Sequence, residues 1–324
     1  MELNGYTLIG ELKSENSGFS KWGFCRKHGK EYFIKEFLYP TYPLQTYDAS
    51  TMSETQRAKK LRECKNFEDK LTNMYRIINN VSDGNLVRVQ SFFRHGSKYY
   101  TVTDKVHNNG LSMAQISALP YENKKLLCKL IAHSMMLLHN EGFVHADIKP
   151  DNVLITANPA CKKYVAKIID FDCGFFGIDP PPVGSEINGD PVYFSPEGLL
   201  FMLGEDVALS CKMDVFALGL LFHQYMCGGF PRFDTNEYEY IAEAILDGSY
   251  VEIDPSIPPE FASILRLMLV KEPSERISLE RVFEMINTTA TYSVTDTPIR
   301  PGPSDPMTSS SGSKLKISGT LKRG

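Results

Sequence analysis

The chain has 324 residues, 42% hydrophobic and 23% charged, with a net charge of −4. That mixture excludes a disordered or fibrous chain for the bulk of the sequence, and the acidic balance argues against nucleic acid as the main partner, because phosphate backbones are met by basic surfaces. Seven cysteines, odd in number and without a CxxC pair, exclude a disulfide framework and a zinc ribbon, and they lead us to expect a reducing, cytoplasmic setting.

At roughly 150 residues per domain, the length predicts about two packed units. No apolar run reaches the ~18 residues of a membrane span. The longest, Val215 to Met226, is broken by Gly219, His223 and Gln224, so no membrane partner is expected. The start, MELNGYTLIGEL, lacks the basic and apolar regions of a signal peptide.

The first hundred residues read as short strands around one long helix. TLIGELKSENSGFSKWGFCRKHGKEYFIKEF carries alternating and aromatic stretches, split by a Ser/Gly loop and the turn His28-Gly29-Lys30. Ser53 is the expected N-cap of a helix running to about Ile78, with Leu61, Cys64, Leu71, Met74 and Ile78 on its apolar side. LVRVQSFF and KYYTVTDKV then predict two strands joined at His95-Gly96. Beyond Gly110 the period turns helical, and Leu126, Leu127, Leu130, Ile131, Met135 and Leu138 mark a helix ending near Gly142. A strand–turn–strand unit follows (FVHADIKPDNVLI, YVAKIIDFD). The segments DVFALGLLFHQYM, EYEYIAEAIL, FASILRLMLV and LERVFEMI complete a helical second half. Sheet-rich first and helix-rich second predicts an α+β plan in two lobes, residues 1–104 and 105–287. From 288 to 324 the composition shifts to Ser, Thr, Pro and Gly, which predicts a disordered tail. Arg300, Lys314, Lys316, Lys322 and Arg323 against Asp296 and Asp305 make that tail basic and the body more acidic than the net charge implies.

The densest chemical signal is HADIKPDN, His145 to Asn152, followed after an apolar strand by IDFD, Ile169 to Asp172. Two acids and an amide on neighbouring turns suit phosphoryl transfer, which needs a base for a hydroxyl and oxygen ligands for Mg²⁺. Asp147 can accept from the hydroxyl, Asn152 and Asp170 can bind the metal, and Lys149 can neutralise the migrating phosphoryl.

On these residues the chain resembles the eukaryotic-type (Hanks-type) Ser/Thr protein kinase superfamily over about residues 6–287. HADIKPDN is similar to the catalytic loop HRDxKxxN, and DFD stands in place of the metal-binding DFG. GDPVYFSPE, Gly189 to Glu197, is similar to the end of an activation segment. DVFALG, from Asp214, is similar to the helix anchoring the catalytic loop, and Arg276 matches the late arginine that pairs with Glu197. The resemblance implies a bilobal kinase fold, ATP and Mg²⁺ as cofactors, and a protein substrate with Ser/Thr acceptors. It also implies that Lys35, in FIK, reaches the α- and β-phosphates, with Glu68 on the long helix as its partner and Glu63 second. Thr103 takes the gatekeeper place, before an adenine-binding hinge of Asp104, Lys105 and Val106. Ser17, Gly18, Phe19, Ser20 and Trp22 take the nucleotide-covering loop.

Three departures from the pattern stand out. The covering loop is glycine-poor, and glycines there let backbone N–H groups approach phosphates. Ala146 replaces the arginine that binds a phosphorylated activation loop, so control by loop phosphorylation is not expected. Asp172 replaces the glycine of DFG, a second acid that also resembles small-molecule kinases of the superfamily. That leaves a small-molecule kinase and an ATP-binding pseudokinase scaffold as alternative readings. SGFSKW and YFIKEFLYPTYP resemble bacterial members, and Ser318 and Thr320 in the basic tail are candidate autophosphorylation sites.

Overall fold

The computed structural model describes residues 1–14, 20–44, 52–106, 110–158, 163–185, 187 and 189–288. The expected tail lies outside them from residue 289 on, as do Ser17, Gly18 and Phe19 of the covering loop.

β1 (Glu2–Leu3), β2 (Tyr6–Lys13), β3 (Ser20–Lys27) and β4 (Lys30–Phe37) come first, then α1 (Glu54–Val81), β5 (Val89–His95) and β6 (Lys98–Asp104). They form one antiparallel sheet in the order β1-β2-β3-β4-β6-β5. Strand alternation gives this sheet two faces. Leu3, Tyr6, Cys25, Ile34, Tyr100 and Val102 pack together on one. Phe37, Phe92 and Tyr99 lie on the other and pack against Phe67 of α1, with ring centroids 5.2–6.4 Å apart. The alternation sets Lys35 on the α1 face, beside Phe37.

α1 begins where the sequence predicts. Ser53 Oγ accepts from Gln56 N at 3.2 Å and Gln56 Oε1 accepts from Ser53 N at 3.1 Å, a reciprocal cap worth about 1 kcal/mol. The helix runs three residues past Ile78, and Cys64, Leu71, Met74, Tyr75 and Ile78 are its buried positions.

The second lobe holds α2 (Met113–Ser117), α3 (Tyr121–Asn140), β7 (Phe143–Val144), β8 (Val153–Asn158), β9 (Lys163–Ile168), β10 (Phe175–Phe176), α4 (Pro196–Met202), α5 (Lys212–Cys227), α6 (Ile241–Leu246), α7 (Pro259–Met268) and α8 (Leu279–Thr288). The curled sheet followed by a helical lobe is the expected bilobal kinase-like α+β architecture. α3 buries Leu127, Ile131, Met135 and Leu138 as its period requires, whereas Leu126 is 41% exposed because it falls outside that stripe. α5 is buried around its whole circumference from Met213 to Met226. It ends at Gly228, whose φ of +87° is the left-handed stop that glycine takes without strain.

The lobes meet through backbone. Val87 N donates to Ile168 O at 2.9 Å and Ile168 N donates to Asn85 O at 2.8 Å, so the segment before β5 fixes the strand that delivers Asp170.

Candidate active site

The loop from His145 to Lys149 is held from below by one carboxylate. Asp214, in the first turn of α5 and 1% exposed, accepts from His145 N at 2.8 Å and Ala146 N at 2.9 Å, and faces His139 Nε2 at 3.0 Å. Ala146 carries φ +64°, a conformation that costs a non-glycine residue about 1 kcal/mol, and the two bonds to Asp214 hold it there. His145 Nδ1 accepts from Asp147 N at 3.3 Å, so its Nε2–H donates to Ile169 O at 3.0 Å. One imidazole thereby ties the catalytic-loop segment to the IDFD segment, with Phe171 against its ring at 5.2 Å.

Asp147 is 8% exposed and surrounded by donors. Asn152 Nδ2 donates to its Oδ2 at 2.8 Å, Asp190 N donates to its Oδ1 at 3.2 Å, and Lys149 Nζ stands 3.0 Å from Oδ1. Burial nonetheless leaves the carboxyl above the ordinary aspartate range, against the pull of Lys149, His145 and Asn152. A small concavity lies between this loop, the Asp190–Phe194 segment and Met213 and Ala217 of α5. Asn152 sits in a 3-10 turn, Pro150–Asn152, and spends its amide N–H on Asp147, which orients its side-chain oxygen the other way. Its backbone oxygen accepts from Ile169 N at 3.0 Å, which sets Asn152 next to Asp170.

Asp170 has φ +59°, a left-handed conformation aspartate tolerates better than most residues. Its Oδ1 lies 2.7 Å from Lys35 Nζ, and Asp172 Oδ2 lies 2.9 Å from the same nitrogen. Burial would lower the Lys35 ammonium and raise both acids. Asp172 and Asp170 outweigh it and raise Lys35; Lys35 in turn holds Asp170 below its usual range, while Asp172 stays above. Gly174 closes the segment, since a Cβ there would fall 2.1 Å from Phe143 Cζ and 2.9 Å from Phe171 O. Burial, with Asp147, Asp170 and Asp172 around it, raises the Cys173 thiol above its ordinary value.

Asp147, Lys149, Asn152, Asp170 and Lys35 therefore converge, and Trp22 stands opposite Lys35 in the β3–β4 register. Ser20, buried, begins β3. Thr103 stands opposite Phe33, two positions from the residue facing Lys35, which is Thr101. Asp104 gives its carboxylate to Lys30 and Gln90, at 2.7 and 3.0 Å, and half-buried Val106 follows.

Glu68 is the correction: it does not pair with Lys35. Its Oε1 accepts from Tyr99 OH at 2.7 Å, and Tyr99 stands opposite Phe37, one side-chain row beyond Lys35. The α1 residue that reaches the Lys35 row is Tyr75, two turns on, whose hydroxyl donates to Asp172 Oδ1 at 3.0 Å and lies 3.0 Å from Thr101 Oγ1. Glu63 accepts from Tyr39 OH at 2.7 Å instead. Tyr75, Thr101 and His145 were missed as members of the site. The acid at position 172 was the available signal for the Lys35 pairing, and nothing in the spacing singles out Tyr75.

Away from the cleft, Arg276 makes a two-pronged bond to Glu197, Nη1 to Oε1 at 2.7 Å and Nη2 to Oε2 at 2.9 Å, beneath the segment that ends at Ser195.

The family model of the protein kinase domain matches residues 49–286. A serine/threonine-protein kinase of Drosophila persimilis is 25% identical over 229 residues, which cover 68% of this chain and 29% of that protein. The ovarian-specific serine/threonine-protein kinase Lok of Drosophila melanogaster is 26% identical over 261 residues, 78% of this chain and 53% of Lok. The chain thus spans under a third of the first relative and about half of the second. The structure of the Cydia pomonella granulovirus kinase PK-1 superposes with a TM-score of 0.58 at 18% identity, covering 88% of this chain and 93% of that one, a likeness of fold.

Proposed function

The chain belongs to the protein kinase domain family, and on that premise we propose that it transfers the γ-phosphoryl group of ATP to serine or threonine hydroxyls of proteins. The observation that carries this reading is the Asp147 carboxylate, fixed by Asn152, Lys149 and the Asp190 amide. A hydroxyl presented to this carboxylate meets an acceptor whose orientation is already set, the positioning on which phosphoryl transfer depends. Lys149, within reach of the same carboxylate, supplies positive charge where the phosphoryl group migrates.

The side-chain oxygens of Asn152 and Asp170 fit Mg²⁺, a hard cation that takes few protein ligands and prefers oxygen. Asn152 has its amide nitrogen already committed, which leaves the oxygen, and the Asp170 carboxylate meets a single cation, Lys35. Bound there, the metal would neutralise charge on the phosphates. Lys35, one of whose three N–H donors remains after Asp170 and Asp172, is suited to a phosphate oxygen. Ala146 offers no cation to a phosphorylated activation segment, so the site is taken to be ready without that modification. The scattered thiols favour a reducing cytoplasm, with the basic tail a candidate for self-modification.

The test incubates purified protein and its Asp147→Asn variant with labelled ATP and Mg²⁺, offering a generic protein and small-molecule alcohols as acceptors. The parent protein is expected to label serine or threonine. The variant is expected to lose about 10²–10⁴-fold in turnover with nucleotide affinity retained. A variant as active as its parent defeats the assignment of Asp147, and labelling of the alcohols alone establishes a small-molecule kinase. Nucleotide binding without transfer establishes a scaffold.

A further inference from the structure

From the geometry around Lys35 we infer that Asp172, the residue standing where the family carries glycine, is the acidic partner that positions Lys35 for phosphate, with Tyr75 linking that pair to α1. The inference rests on the kinase reading above and adds a positioning residue to it.

Lys35 is 14% exposed at its side chain, and an ammonium so enclosed needs a permanent counter-charge. Asp170 faces it at 2.7 Å, but Asp170 is also the carboxylate suited to the metal, and a cation there competes with the ammonium for the same oxygens. The helix acids are committed elsewhere, Glu68 to Tyr99 and Glu63 to Tyr39. Asp172, at 2.9 Å, remains.

Its second oxygen is equally well occupied. Tyr75 OH has one proton, and donating it to Asp172 Oδ1 leaves the Thr101 hydroxyl to donate to the Tyr75 oxygen. Thr101 is the register partner of Lys35 across β4 and β6. Lys35, Asp172, Tyr75 and Thr101 thus close a circuit joining two strands, α1 and the IDFD segment. Tyr75 and Thr101 are each 5% exposed, which keeps water from replacing the links. Where a helix glutamate would hold the lysine directly, this chain places the carboxylate on the metal-site segment and lets α1 reach it through a phenol. Movement of α1 would then reach the Lys35 ammonium through Tyr75 and Asp172.

The experiment measures affinity for ATP, with and without Mg²⁺, together with KM for ATP, kcat and the thermal midpoint. It uses the full chain and its Asp172→Asn, Asp172→Glu, Tyr75→Phe and Lys35→Ala variants. Loss of one charge-assisted contact at an enclosed lysine predicts about a tenfold weaker nucleotide affinity in Asp172→Asn, with and without Mg²⁺ alike. A smaller loss in the same direction is expected for Tyr75→Phe, and partial recovery for Asp172→Glu. In the Lys35→Ala background, Asp172→Asn should change nothing further, because its effect passes through Lys35. Unchanged affinity in both Asp172→Asn and Tyr75→Phe overturns the inference. So does a deficit that appears only with Mg²⁺ and raises the Mg²⁺ needed for half-saturation, because that makes Asp172 a metal ligand. Failure of the parent to transfer phosphoryl groups defeats the kinase reading instead, while the same affinities still decide the role of Asp172.

Discussion

Arg276 and Glu197 are both charged and both buried, at 0% and 5% side-chain exposure, yet the structure makes their removal unequal. Every N–H of the guanidinium is used. Two go to the Glu197 oxygens, and three go to backbone carbonyls, those of Val270 and Lys271 beyond the end of α7, each at 3.0 Å, and that of Lys212 at the start of α5, at 2.6 Å. Breaking a buried pair from either side strands the other charge, at about 3–5 kcal/mol. Glu197→Gln incurs only that loss, because the three carbonyls keep their donors. Arg276→Met strands Glu197 and unpairs the Val270 and Lys271 carbonyls as well, at about 1 kcal/mol each, while Lys212 O keeps its bond within α5, so it should be worse by roughly 2 kcal/mol. At about 2–4 °C per kcal/mol, its melting midpoint should lie roughly 4–8 °C below that of Glu197→Gln. Arg276→Lys, with three donors and no planar fork, should fall between them. Urea titration followed by far-UV circular dichroism, beside thermal scans, measures all three. Equal destabilisation by Arg276→Met and Glu197→Gln would refute the argument, since the carbonyl caps would then contribute nothing.

Gly174→Ala should destabilise by about 1–3 kcal/mol and abolish transfer, because its new methyl group meets Phe143, fully buried, and the backbone oxygen of Phe171. Normal melting and normal turnover would contradict that packing. His223 supplies the pH dependence. Burial holds its imidazole below the ordinary value of 6.5, with Nδ1 donating to Gly229 O at 2.7 Å and Nε2 accepting from Asp254 N at 3.1 Å. The unfolded chain therefore takes up that proton first. The stability the ring contributes is complete above about pH 6.5 and drains as the pH falls through the window below it, by at most about 1.4 kcal/mol per pH unit. Urea midpoints at pH 7.5 and 5.5 should converge in His223→Gln relative to the parent, and an unaltered gap counts against the assignment.

Much of this arrangement was legible because it depends on local spacing. Ser53 announces the start of α1, and HADIKPDN with IDFD carries its chemistry in two short segments whose strands fix their distance. The partner of Lys35 was not legible, because it depends on how α1 is rotated and tilted over the sheet. That rotation is set jointly by Cys64, Leu71, Met74 and Ile78 packing against residues far away in sequence, and a periodicity cannot say which strand row each turn meets. Glu68 does face inward, but it arrives at the Tyr99 row. The carboxylate at position 172 is visible in the sequence. Its pairing becomes visible only when β4, α1 and the IDFD segment are in one frame.

The enclosure of α5 has a practical consequence for anyone altering this protein. A helix buried on all sides from Met213 to Met226 offers no position at which a label, an affinity tag or a solubilising charge can be tolerated. Its polar members are as constrained as its apolar ones, with Asp214, His223 and Gln224 each answering a particular partner. A saturation library there should return little beyond swaps of equal volume. α8 is the opposite case. It buries only Leu279, Val282 and Ile286 and leaves Glu284 60% exposed at its side chain, so a reporter group attached there would sit in solvent on a rigid support.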